Sequence, residues 1–98
     1  MTTVLVRHQV MDYDVWKREY DRIISGPLGA AVLAHQVWRG QDDPNLVMVE
    51  ETFATREEAQ AAWTSAETLA AMEADGIDLS SVWIEYFDEV DSGKTADA

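Results

Sequence analysis

Thr3-Val4-Leu5-Val6-Arg7-His8-Gln9-Val10 runs into Met11-Asp12 and then into Tyr13, Trp16, Tyr20, Ile23 and Ile24. The first eight residues are rich in β-branched side chains and read as a strand. The second group recurs at helical spacing with charged residues between its members, and Asp12 stands where a helix N-cap belongs. A strand leading directly into an amphipathic helix is the opening of an α+β unit. Ser25-Gly26-Pro27 stops that helix, and Gly29 keeps the following loop open.

Outward from this start, residues 31–39 form a second apolar run. Gly40-Gln41-Asp42-Asp43-Pro44-Asn45 is a turn by composition. Leu46-Val47-Met48-Val49-Glu50-Glu51-Thr52-Phe53 is a third strand, so residues 31–53 read as a hairpin. Thr55-Arg56-Glu57-Glu58 has capping-box spacing. The Ala-rich helix after it is expected to bury Ala59, Ala62, Trp63, Ala66, Leu69 and Ala70. Ser65 is placed to restart it as a second cap, and Asp75-Gly76 to close it. Residues 81–90 make a fourth strand. The chain is expected to form one domain over residues 1–91, with a flexible tail over 92–98. The order is βαββαβ, the ferredoxin-like pattern of the α+β class. Right-handed crossovers arrange the antiparallel strands 4-1-3-2, with both helices on one face.

A chain of 98 residues that is 47% hydrophobic is long and apolar enough for one modest core. The net charge of −12 argues against nucleic acid and against an anionic membrane, both of which need a basic face. There is no cysteine, which excludes disulfides and thiolate chemistry. No run approaches the length of a membrane span, and no signal peptide is visible, so the expected location is the cytoplasm. Neither a phosphate loop nor a nucleophile elbow is present, and no metal site is recognisable. The expectation is a protein with no metal and no cofactor.

The strands predict a second copy of the chain as a partner. Trp83 and Phe87 oppose Ile84 and Tyr86 on the fourth strand, and Leu46 and Met48 oppose Val47, Val49 and Phe53 on the third. Both sheet faces are therefore apolar, and a homodimer buries the face that the helices leave open.

The candidate chemistry lies on the helix-facing side. His8 interrupts a stripe of Val4, Val6 and Val10, where burial lowers an imidazole's pKa and keeps it able to take a proton. Glu51 has the parity of Val47, Val49 and Phe53, on a strand beside the first, so the two are expected to face the same side, and the strand register, which the pattern leaves open, decides whether they meet. His8 and Glu51 are the catalytic candidates. Trp16, Tyr20, Val49, Trp63 and Tyr86 are candidates for contact with an apolar or aromatic small molecule. His35 joins them from the second strand, whose facing the pattern does not fix.

Val6-Arg7-His8-Gln9-Val10 with Asp12-Tyr13-Asp14-Val15-Trp16, Val37-Trp38-Arg39 with Asp42-Asp43-Pro44-Asn45, and Glu50-Glu51-Thr52-Phe53 together carry a resemblance. Over residues 3–90 the chain resembles the dimeric α+β-barrel superfamily, and within it small proteins of the antibiotic biosynthesis monooxygenase type. The resemblance implies homodimers whose sheets pack face to face, each subunit holding a pocket between sheet and helices. It implies oxidation of polycyclic aromatic polyketides without metal or flavin, through a deprotonated substrate that reacts with oxygen. Trp63 is similar to the helix Trp of those enzymes. Haem-degrading relatives carry a histidine on the second helix, and this helix has none. Cyclase relatives carry two histidines at positions that fall near Thr2 and Thr68. The function expected is thus a monooxygenase-like oxidoreductase. A cyclase or isomerase of the same fold, or a non-catalytic ligand-binding dimer, are the alternatives.

Overall fold

The computed structural model describes residues 1–74 and 76–93. Its elements are β1 (Thr2–Gln9), α1 (Tyr13–Ile24), β2 (Ala34–Arg39), β3 (Leu46–Phe53), α2 (Arg56–Thr64), α3 (Ala66–Ala74) and β4 (Trp83–Asp88). The four strands form one sheet in the order β2-β3-β1-β4, and every pairing is antiparallel. This is the 4-1-3-2 order that the βαββαβ pattern predicts.

Strand parity decides which residues enter the core. Val4, Val6 and His8 of β1 alternate with Leu5, Arg7 and Gln9, and only the first set is buried throughout. On β3 the buried set is Val47, Val49, Glu51 and Phe53. Val6 faces Val49 across the pair, which brings the two buried sets together in the middle of the sheet. Trp16 and Tyr20 of α1, Ala59 and Trp63 of α2 and Met72 of α3 close over them.

The helix starts follow their caps. Asp12 accepts a hydrogen bond from the Val15 amide at 3.2 Å, and Thr55 accepts one from the Glu58 amide at 3.2 Å. In the turn before β3, Asp43 accepts from the Asn45 amide at 3.0 Å.

The face that the second helix buries departs from expectation, although the restart at Ser65 does not. The helix breaks at Ser65, whose φ of −67° and ψ of 152° are extended. The Ser65 hydroxyl then accepts from the Thr68 amide at 3.1 Å and caps α3. The non-helical residue resets the helical phase, so Ala66, Leu69 and Ala70, expected in the core, are exposed. Thr68, Ala71 and Met72 turn inward instead. Gly76 follows α3 with φ of +76°, a conformation that favours glycine. Asp75, expected to share that closure, and residues 94–98 of the expected tail lie outside the described residues.

Strand ends also shift. The second strand begins at Ala34 rather than residue 31, because Pro27–Gly29 forms a 3-10 turn and the chain reaches the sheet only at Leu33, whose amide bonds to the Thr52 carbonyl at 2.8 Å. The fourth strand shortens to Trp83–Asp88, preceded by a 3-10 turn at Leu79–Ser81. The first strand ends at Gln9, and Val10 forms an isolated bridge to Ile77. No helix among the described residues is long and apolar enough to cross a membrane.

Candidate functional site

Between the sheet and the helices lies a cavity of about 60 Å³. His8 and Glu51 line it from the sheet, and Trp16, Tyr20, Ile23 and Ile24 from α1. Ala62 and Trp63 of α2 and Thr68, Ala71 and Met72 of α3 form the opposite wall. Leu28, Gly29 and Ile77 complete it. Gly29 is required here, since a Cβ at that position would run into the backbone of Ile24 at the end of α1. The cavity is small beside the roughly 300–1,000 Å³ of a pocket for a drug-sized ligand. A polycyclic ligand therefore needs one wall to move.

His8 stands at one end. It is 1% exposed, and neither ring nitrogen has a hydrogen-bond partner among the described residues. Its ring meets Trp16 edge-on with centroids 5.5 Å apart. Burial lowers its pKa from 6.5 to about 4, so the imidazole is neutral at pH 7 and presents one donor and one acceptor.

Glu51, 4% exposed, stands at the other end. The Tyr20 hydroxyl donates to its Oε2 at 2.6 Å, and the Trp63 indole N–H donates to its Oε1 at 3.0 Å. Burial pushes the carboxyl upward from its ordinary value, and these two hydrogen bonds pull it back in part. Burial and the adjacent Glu51 charge push the Tyr20 hydroxyl upward in turn. Trp16 and Tyr20, one helical turn apart, stack with centroids 5.2 Å apart and connect the two ends.

The register, left open by the sequence, keeps His8 and Glu51 apart. His8 pairs with Val47, while Glu51 pairs with Val4. The two share a face but sit four positions apart along the strands, or about 13 Å at the usual rise per residue. Glu51 therefore does not orient His8. Of the other candidates, Trp16, Tyr20 and Trp63 line the cavity and Val49, Tyr86 and His35 do not. Val49 is fully buried in the core. Tyr86 faces the helix side opposite Val4 but lies under the Arg56 guanidinium, 5.2 Å from its ring centre. His35 faces the same side as its partner Glu51 and meets the Tyr20 ring at 6.0 Å, yet it is exposed.

The wall from α3 and Leu28 escaped the sequence reading. Ile23 and Ile24 were visible in the helical spacing of α1, whereas Thr68 and Met72 were hidden by the phase reset at Ser65. No group of three His, Asp or Glu side chains among the described residues is arranged to hold a metal ion.

The chain shares its fold with several solved structures. It superposes on a crystal structure of an antibiotic biosynthesis monooxygenase with a TM-score of 0.70, at 13% identity, over 93% of this chain and 100% of that one. The fold is shared. On SnoaB, a cofactor-independent oxygenase from Streptomyces nogalater, the TM-score is 0.69 at 14% identity, over 93% and 94% of the two chains. On Rv0793 from Mycobacterium tuberculosis it is 0.64 at 15% identity, over 95% and 98%. No protein-family model matches the chain. No curated protein matches its sequence.

Proposed function

We propose that this protein is a homodimeric oxygenase that acts on a flat aromatic metabolite without metal or flavin, with His8 accepting the proton that activates the substrate. The observation that carries this reading is the imidazole of His8, buried at a cavity wall with both nitrogens unpartnered among the described residues. A structural histidine in that position would be hydrogen-bonded, because an unmet buried polar group costs about 1–3 kcal/mol. A ligand hydroxyl meets the need. The shared fold with a cofactor-independent oxygenase supports the reaction type.

The chemistry balances without an added reductant. An activated ring CH₂ and one O₂ give a ring carbonyl and one water. The enzyme's task is to stabilise the ring anion that first reacts with oxygen. A neutral His8 can take the proton, although a pKa of about 4 makes it a weak base in isolation. Its help comes as the anion forms, when imidazolium and anion attract each other in a water-poor cavity. Trp16 and Trp63 hold the ring system in place.

Oxygen consumption with an anthrone-type substrate tests the proposal. The wild type should turn over and His8→Ala should lose most of that rate while keeping its fold. Equal rates remove His8 from the mechanism. Conversion that persists without oxygen replaces the oxygenase with a cyclase or isomerase.

A further inference from the structure

The end of the cavity that holds Glu51 has chemistry of its own. Glu51 is buried, yet its two hydrogen bonds come from the neutral donors Tyr20 and Trp63. The salt bridges among the described residues are Lys17–Asp21 and Arg22–Glu19, both on α1 and both away from it. The basic group that acts on Glu51 is His35, its exposed cross-strand partner. No Lys or Arg among the described residues lines the cavity.

A buried carboxylate with no cation is expensive, and two neutral hydrogen bonds offset only part of its desolvation. A carboxylate has about four lone-pair directions, of which Tyr20 and Trp63 occupy two. The aromatic side chains that line the same cavity, Trp16, Tyr20 and Trp63, suit a guest that carries a ring. An anionic ligand would meet Glu51 with no counter-charge. The unpartnered His8 in the same cavity independently marks the space as one that receives a ligand.

We propose that Glu51, with Trp16, Tyr20 and Trp63, is the recognition subsite for a basic nitrogen, so that the ligand of this cavity is a ring-bearing primary ammonium. The inference rests on the reading of the cavity as a site for an aromatic molecule and narrows that molecule's class. The ammonium places its N–H groups on the free lone pairs of Glu51. It supplies the missing charge, and its ring lies along the aromatic wall.

Calorimetry on the full chain at pH 7 tests this with three probes that share one ring: benzylammonium, benzyl alcohol and benzoate. Benzylammonium should bind about tenfold or more tighter than benzyl alcohol, and benzoate weakest of the three. Glu51→Gln should erase the preference for the ammonium over the alcohol. Equal affinity for ammonium and alcohol overturns the proposal and leaves the aromatic-site reading standing. So does a preference that survives in Glu51→Gln, which would trace it to the overall negative charge. Binding of none of the probes overturns both. Should Glu51→Gln not fold, the carboxyl ¹³C signal of Glu51 in the wild type carries the test. Saturating benzylammonium should lower its titration midpoint, and an unmoved midpoint overturns the proposal.

Discussion

His8 and Glu51 are the residues at which this chain departs from the economy of its own core. The imidazole of His8 occupies a place in a valine stripe where a leucine would pack without an unmet donor or acceptor. His8→Leu should therefore fold at least as stably as the wild type at pH 7, by up to about 1–3 kcal/mol, while losing ligand-dependent function. Urea unfolding checks the first half, and a variant several kcal/mol less stable would show that His8 is structural. The pH dependence has a definite sign. His8 has a folded pKa of about 4 against 6.5 in the unfolded chain, so between these values the unfolded state binds the extra proton. Its contribution is complete above pH 6.5 and is lost as the pH falls towards 4, roughly 3 kcal/mol over the window. Glu51 acts oppositely, because its raised folded pKa favours the folded state in acid. His8→Leu should thus lose less stability than the wild type between pH 7 and pH 4.5, and equal losses would contradict the lowered pKa. Tyr20→Phe removes one of the two donors to the buried Glu51 and should cost about 1–3 kcal/mol at pH 7 by the same unfolding measurement. A cost near zero would mean that water replaces the lost donor or that Glu51 takes up a proton.

At the scale of elements, α3 is the wall whose packing predicts that it yields first. It is bounded by the extended Ser65 at one end and by Gly76, with positive φ, beyond the other. Met72 is its one buried side chain, and Leu69 is 48% exposed. Few buried contacts and two breaks place it among the less stable parts of the fold. Ser65 also anchors a hydroxyl relay, donating to Thr68, whose own hydroxyl reaches the Ala62 carbonyl. Ser65→Ala removes the cap, at a cost of about 0.5–2 kcal/mol to α3. Amide exchange should then accelerate at Leu69–Met72 and stay unchanged in β1 and β3. Acceleration spread over the sheet would show that α3 unfolds only with the whole domain. The same element marks where the sequence stopped being legible. Alternation along β1 and β3 assigned every residue to its face, because one face is dry and the period is two. It placed His8 and Glu51 on the side where the cavity lies, and helical spacing placed Trp16, Tyr20 and Trp63 there. Parity carries no information about position along a strand, so the offset between His8 and Glu51 could not be read. The cap at Ser65 was visible, but a cap that restarts a helix also turns its face by an amount the sequence leaves open. The inward Thr68 and Met72 were hidden for that reason.

At the scale of the molecule, the face of the sheet away from the helices sets the last problem. Trp38 is 57% exposed, Trp83 39% and Phe87 42%, each on the side opposite the buried valines. Leu5 and Met48 lie on the same side, between them in the sheet. A monomer would leave this patch in water, and a second copy offers a patch of identical shape related by a two-fold axis. The apolar attraction works against charge, because each chain carries −12. Two such chains repel at low ionic strength and are screened beyond about 8 Å at physiological salt. The proposed dimer should therefore tighten as salt rises, the reverse of an association held by ion pairs. Light scattering on the eluting protein at about 0.15 M salt should give a mass near twice the 11.0 kDa of one chain. Phe87→Lys with Trp83→Glu should return it to the mass of one chain. These side chains lie on the face opposite the cavity, so the probes that read His8 and Glu51 should still bind the doubly substituted protein. Loss of both assembly and binding would mean that the second subunit holds the cavity in shape, and a wild type of 11.0 kDa at all salt concentrations would remove the homodimer from the proposal.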